Sequence, residues 1–336
     1  MLKSIHRRGV LRACLYAASL AGCLPLIAQA QAASDAAYPE RSIRMIVPFP
    51  AGGATDVVAR VIAQQAGAEL GQQIVVENKS GAGGTIGAGE AAKATADGYT
   101  ILLTTTSTHS VSPHLLNNLP YDAKKDFTPI AHLGTAGTVL LVTPSLPVKS
   151  VQELVDYAKK NPGELNYASS GNGTIVHLGT EAFMARAGIE MTHVPYRGTG
   201  QAMTDLMSGA VQVLMDAIPT GMPYVKKEQL RALAVTTRQR SALAPEIPTL
   251  DESGLEGFES TTWFGIYAPA GLAEERRVRL HEAFLRAVQN PDVVARLQSL
   301  GIDTAQEHTS EDFAKLVEAD SARWKQIIQD GNISVQ

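Results

Sequence analysis

IRMIVPFPAGGATDVVAR, residues Ile43 to Arg60, reads as a strand that runs through a glycine turn into an amphipathic helix. Ile43, Met45, Ile46 and Val47 form an apolar run closed by Pro48, the signature of a strand covered on both faces, as in a parallel sheet. Gly52 and Gly53 allow the sharp turn, because a residue without Cβ tolerates positive φ. Thr55 or Asp56 is the expected N-cap, and Val57, Val58, Val61 and Ile62 the expected apolar stripe. The unbonded N–H groups of such a first turn, with the positive end of the helix dipole, make a seat for an anion.

The same unit recurs downstream. Leu165 to His177, LNYASSGNGTIVH, is a short strand that breaks into glycines and then becomes a helix, which makes Ser169, Ser170, Gly171 and Thr174 candidate contacts. Met191 to Tyr196 leads into Arg197-Gly198-Thr199-Gly200 and a helix over Gln201 to Ser208. Val211 to Asp216 ends in an acid where its strand emerges. Tyr99 to Thr104 ends in Thr105-Thr106-Ser107-Thr108-His109; this hydroxyl-rich segment either lines the crevice at the carboxyl end of a strand or is a solvated loop capping a helix over residues 111–117. The glycine loop at residues 80–87 has Ile86 where the dinucleotide fingerprint needs its last glycine and lacks the Lys-Ser/Thr of a P-loop, so close helix packing is the better reason for it.

Phe127 to Leu133 and Val139 to Thr143 read as two further strands, followed by a capped helix over Ser150 to Lys160. Alternating strands and helices predict an α/β protein with parallel sheet and helices on both faces. Crossings at Pro144/Pro147 and near Ser260 divide it into a first lobe of residues 31–143 and 261–336 and a second of residues 144–260, with a cleft between them. Two amphipathic patterns, Glu274 to Gln289 and Ser310 to Gln329, close the chain.

Residues 1–30 are set apart as a signal peptide. Lys3, Arg7, Arg8 and Arg12 precede an apolar run from Ala13 to Ala28, and Ala28-Gln29-Ala30 has the form of a signal-peptidase site, so export to the periplasm is expected. Arg7-Arg8 also fits a twin-arginine signal, and Leu20-Ala21-Gly22-Cys23 a lipidation box, against which the apolar run continues past Cys23. Cleavage after Ala30 removes both cysteines, excluding disulfides and thiolate chemistry. It leaves 25 Lys and Arg against 33 Asp and Glu, a net charge of −8, the wrong sign for a nucleic-acid binder.

These residues resemble the extracytoplasmic solute receptors of tripartite tricarboxylate transporters, the Bug proteins. The likeness rests on Tyr38-Pro39, Val47-Pro48-Phe49-Pro50-Ala51-Gly52-Gly53 with Asp56, and Glu77-Asn78-Lys79 before Gly81-Ala82-Gly83-Gly84. It continues in Tyr167-Ala168-Ser169-Ser170-Gly171 with His177-Leu178, Val194-Pro195-Tyr196-Arg197-Gly198, and Trp263 with Ala268-Pro269. The resemblance implies a type II periplasmic binding fold that captures a small carboxylate, such as a di- or tricarboxylate, an acidic amino acid or an aromatic acid, and hands it to membrane permease subunits. It implies a monomer without cofactor or metal. By position it points to Phe49, Ala51, Gly52 and Asp56 from one lobe, and Ser169, Ser170, Thr174, Tyr196 and Asp216 from the other.

Each charged candidate has a structural alternative. His177, three residues into its helix, is either a satisfied core histidine or a ligand contact. Arg197 either pairs with the anion or holds Asp216, Asp56 either meets solute or caps a helix, and Asp216 either accepts from a ligand amine or hydroxyl or satisfies buried N–H groups. A hydrolase is the competing class, but no G-x-S-x-G elbow is present and His281-Glu282 lacks the second histidine of a zinc motif, so no enzyme is expected. A sensor feeding a membrane signalling partner would use the same fold and residues.

Overall fold

The computed structural model describes residues 38–196, 198–305, 309–331 and 333; the expected signal peptide with Cys23, and Arg197, lie outside them. Of the N-terminal unit, Met1–Glu40, only residues 38–40 are described, and Arg41–Gln336 form one compact unit.

That unit carries strands β1 (Ile43–Val47), β2 (Ile74–Asn78), β3 (Thr100–Thr105), β4 (Phe127–Val142), β5 (Asn166–Ser169), β6 (Thr192–Pro195), β7 (Val213–Ala217), β8 (Arg231–Val235), β9 (Thr261–Pro269) and β10 (Ile302–Thr304). Its helices are α1 (Ala54–Leu70), α2 (Thr85–Ala92), α3 (Ser112–Leu115), α4 (Val151–Lys160), α5 (Ile175–Ala187), α6 (Thr199–Ser208), α7 (Ile218–Lys226), α8 (Glu274–Gln289), α9 (Pro291–Ser299) and α10 (Ser310–Asp330).

The strands follow the order β2-β1-β3-β9-β4-β7-β5-β6, with β8 and β10 also paired to β4. The sheet is mixed rather than parallel: β1 pairs in parallel with β2 and β3, and β5 with β6 and β7, but β9 and β4 run antiparallel to their neighbours. The two strands expected at residues 127–133 and 139–143 are one strand, β4. Its residues from Phe127 to Gly137 pair with β9, and those from Thr138 to Val142 with β7 and β8, so the change of partners falls at Thr138, ahead of Pro144. The C-terminal segment also holds more than two amphipathic helices, since α9 and β10 intervene between α8 and α10.

Local sequence explains the elements that frame the cleft. α1 starts at Ala54 with Gly53 as N-cap, not at Thr55 or Asp56. Its buried stripe is Val58, Ala59, Ile62, Ala63, Ala66 and Leu70, while Val57 and Val61 are half-buried. Ser150 caps α4 by accepting from the Glu153 N–H, as its spacing predicts. A Cβ at Gly87 would lie 2.7 Å from the Lys79 carbonyl oxygen and 2.9 Å from Pro48 Cα, so α2 can approach the end of β1 only with glycine there. The core divides along β4: Ile46, Leu102, Trp263 and Phe313 pack on one side, and Leu140, Tyr167, Phe183 and Val213 on the other.

Candidate functional site

Where the two halves of the sheet meet over β4, a cavity of about 360 Å³ opens at the ends of the strands. Phe49, Pro50 and Gly53–Thr55 line it from the first glycine turn, Thr105 from the end of β3, Ser107 from just beyond it, and Ala136, Gly137 and Thr138 from β4. Ser170 and Thr174–Val176 enter from the second glycine loop, Gly198 and Thr199 from the third, Asp216 and Ala217 from β7, and Thr262, Phe264, Leu300 and Ile302 complete it.

Four helices begin on this wall. Gly53, Thr174, Gly198 and Ala217 are the N-caps of α1, α5, α6 and α7, and all four line the cavity. At α1 no side chain caps the first turn. The N–H groups of Ala54 and Thr55, too early for an intrahelical partner, therefore stand at the cavity with the positive ends of the dipoles. Among the described lining residues there is no Lys or Arg; the polar groups are hydroxyls and the Asp216 carboxyl. Such a wall can hold an anion by backbone and hydroxyl donors and bury an apolar body against Phe49, Ile175, Val176 and Phe264.

The turn at residues 49–53 is fixed from outside the cavity. Asp56, 3% exposed, accepts from the Gly52 N–H at 2.9 Å, from Asn78 Nδ2 at 3.0 Å and from Arg60 Nε at 3.0 Å. Asn78 also donates to the Phe49 carbonyl at 3.0 Å. Burial alone would raise the Asp56 carboxyl, but hydrogen bonds from Arg60, Gly52 and Asn78 hold it below its ordinary value, and it stays ionised. Gly52 adopts φ +80°, which requires glycine or a residue at ease in the left-handed region. Its N–H is spent on Asp56, so the donors offered to the cavity belong to the helix rather than to Gly52.

Opposite, Thr174 Oγ1 donates to the Gly171 carbonyl at 2.8 Å and accepts from the His177 N–H at 3.4 Å and from Ser170 Oγ at 3.1 Å. Asp216 is 4% exposed; burial pushes its carboxyl up, against hydrogen bonds from the Thr220 hydroxyl, the Ala217 N–H and the Thr199 hydroxyl.

Of the residues singled out in the sequence, Phe49, Gly53, Ser107, Ser170, Thr174 and Asp216 line this cavity. Ala51, Gly52 and Asp56 belong to the turn behind it. Thr106 is fully buried, with its hydroxyl accepting from the Trp263 N–H at 3.0 Å, and the whole stretch from Thr104 to Ser110 is buried, which excludes the solvated-loop reading. Ser169 and Gly171 bond to each other beneath the loop. His177 is buried outside the lining, and Tyr196 turns away to donate to Asp205 at 2.7 Å. Burial first, and then Asp205, push the Tyr196 hydroxyl up to about 12. Thr138, Thr199, Thr262, Leu300 and Ile302 line the cavity without having been singled out. Thr199 alone had a local signal, at the start of a third strand-glycine-helix unit.

The fold defines the class: α/β periplasmic binding proteins, which match nearly the whole chain in the comparisons below. The chain belongs to the tripartite tricarboxylate transporter family of receptors, whose family model matches residues 58–333. BugT of Bordetella pertussis is 38% identical over 265 residues, 79% of this chain and 81% of that protein. Rpa4515 of R. palustris, solved with adipate, is 35% identical with a TM-score of 0.82, covering 88% of this chain and 99% of that one. MatC of Rhodopseudomonas palustris, solved with bound malate, is 33% identical with a TM-score of 0.79, covering 87% of this chain and 100% of that one. Among the described residues no helix is long and apolar enough to cross a membrane, and no group of His, Cys, Asp and Glu is placed to hold a metal ion.

Proposed function

We propose that this receptor captures a small carboxylate in the cavity over β4 and delivers it, as a periplasmic monomer, to the membrane permease of a tripartite transporter. The observation that carries the reading is the convergence of four helix N-termini on one cavity whose described lining has hydroxyls and no Lys or Arg. One carboxylate is seated by the Ala54 and Thr55 N–H groups with the Ser107 hydroxyl and, once it turns its proton from Thr174 to the ligand, the Ser170 hydroxyl, while Thr174 stays bonded to Gly171 and shapes the loop. The far end of the ligand lies towards Thr199 and Asp216. The adipate and malate bound to two relatives fit that size and chemistry.

Residues 31–143 with 261–336 form one lobe and 144–260 the other, with the Thr138–Val142 end of β4 paired into the second, and the lobes, joined through β4 and the chain entering β9, close on the ligand as a binder rather than a catalyst. Residues 1–30 direct export and are removed after Ala30. A thermal-shift screen of mono-, di- and tricarboxylates, acidic amino acids and aromatic acids tests the binding. A ligand at 100 times its dissociation constant stabilises by about 2.7 kcal/mol. Scattering at saturation should show a smaller radius of gyration, and uptake of the same acid should fail in a strain lacking the receptor. A panel with no stabilising acid would sink the reading.

A further inference from the structure

Directly beneath the second glycine loop lies a pair of histidines that the cavity does not use. His177, at the third position of α5, and His193, on β6, stack with ring centroids 4.1 Å apart and planes 13° from parallel, and Tyr167 of β5 continues the stack 4.8 Å from His193. Each imidazole holds the loop. The Gly173 N–H donates to His177 Nδ1 at 3.2 Å. His193 Nε2 lies 2.6 Å from Ser169 Oγ, which accepts from the Gly171 N–H at 3.1 Å. The geometry points to His177 and His193 as positioning residues that set the ligand-seating loop from Ser169 to Thr174 while both rings are neutral, and to protonation of His177 as the event that releases it. This rests on the proposed seating of a carboxylate at Ser170.

The tautomer follows from the donor. Because Gly173 donates to Nδ1, that nitrogen presents its lone pair, and the single proton of a neutral His177 sits on Nε2, which faces Glu181 Oε1 at 3.7 Å. A second proton can go only onto Nδ1, where it meets the Gly173 N–H head-on and breaks that bond. His193 differs, since a proton on its Nε2 is compatible with the bond to Ser169. Among the described residues, the ionisable groups in contact with the pair are Tyr167 from β5 and Glu181 from α5, and the Tyr167 hydroxyl donates to Glu181. Burial, then the neighbouring His193, push His177 down to about 4, and burial lowers His193. The cation at His177 would also sit in the first turn of α5, at the positive end of the dipole.

The test compares His177→Asn, whose Oδ1 can replace Nδ1 as acceptor but cannot be protonated, with His177→Leu, which offers no acceptor. With adipate and malate as probes at pH 7, the asparagine variant should bind within about threefold of the unaltered protein and the leucine variant at least tenfold more weakly, each tenfold being about 1.4 kcal/mol. Equal affinity of both variants and the unaltered protein would overturn the assignment. Independently of any ligand, the Gly173 amide resonance should move with the titration of the His177 ring well below pH 6.5, and should not titrate in His177→Asn. A Gly173 amide indifferent to that titration would also overturn it. If neither probe binds the unaltered protein, the carboxylate reading fails on those acids, and the amide titration alone decides the role of the pair.

Discussion

Asp56→Ala separates a structural anchor from a ligand contact. The Asp56 carboxylate takes three hydrogen bonds, from Gly52, Asn78 and Arg60, and none of its partners except the turn itself reaches the cavity. A hydrogen bond to a charged group contributes about 1.5–3 kcal/mol. The Arg60 side chain is 54% exposed, so solvent screens its share down to that of a surface pair, and water can partly replace the acid at the exposed Gly52 N–H. The net loss is then about 2–4 kcal/mol, or about 3–6 °C in Tm at an unfolding entropy of about 2.1 cal/mol/K per residue. The folded carboxyl titrates below its ordinary value of 3.8, so this stability is fully present above that pH and disappears as pH falls through the folded pKa. Thermal unfolding of the two proteins should therefore differ most at neutral pH and converge as the pH falls through the lowered pKa of the folded carboxyl. Titration calorimetry with a carboxylate from the screen should show weaker binding, because Phe49 and Gly53 lose their fixed positions. An unchanged Tm with binding abolished would refute this account and make Asp56 a direct ligand contact.

Three further outcomes follow from the same geometry. Gly52→Val should destabilise by about 1–3 kcal/mol and weaken carboxylate binding, because φ +80° is strained for a β-branched residue although its Cβ would meet nothing, whereas Gly52→Asn should unfold within about 1 kcal/mol of the parent. Ala136→Phe places a ring in the cavity from a half-buried position on β4 and should lower affinity at least tenfold, about 1.4 kcal/mol, with little change in Tm, as calorimetry beside thermal unfolding will read. His109 is fully buried, its Nε2 has no hydrogen-bond partner, and burial lowers it to about 3; its unfolded form therefore binds a proton first, so stability falls as pH drops from about 6.5 towards 3, and His109→Phe should flatten that limb in urea titrations.

What the sequence made legible was local. The strand-turn-helix at Ile43–Arg60 needs only an apolar run, two glycines and a periodic helix, and it forms as read except that its cap, Gly53, lies two residues before Thr55 and three before Asp56. The cap moved because Asp56 is held by Asn78, 22 residues away, and by the Gly52 N–H, a tertiary arrangement that makes a first-turn acid look like an N-cap. Strand direction was not legible, because β4 and β9 are buried on both faces and an antiparallel strand so covered carries the same continuous apolar run as a parallel one. The apolar wall of the cavity was hidden for a similar reason: Leu300 and Ile302 follow a short helix and read as ordinary core until β10 pairs with β4.

The proposed anion seat was legible only as a repeated motif. Three strand-glycine-helix units are visible in the chain, and each sends a helix N-terminus to one place, while a fourth, at Ala217, follows an acid that looked like the end of a strand. A seat made of N–H groups leaves no charged residue in the sequence to find it by, since the donors belong to Ala54 and Thr55, whose side chains carry no charge. Its selectivity then rests on what surrounds the donors. With four dipoles favouring negative charge and one buried Asp216 disfavouring a second carboxylate beside it while ionised, the raised Asp216 carboxyl sets the cost of a diacid. Asp216→Asn removes that cost and keeps an acceptor, so it should improve binding of a dicarboxylate relative to its monoamide at neutral pH, read as a ratio of dissociation constants. A ratio unmoved by the substitution would place the ligand's far end away from Asp216.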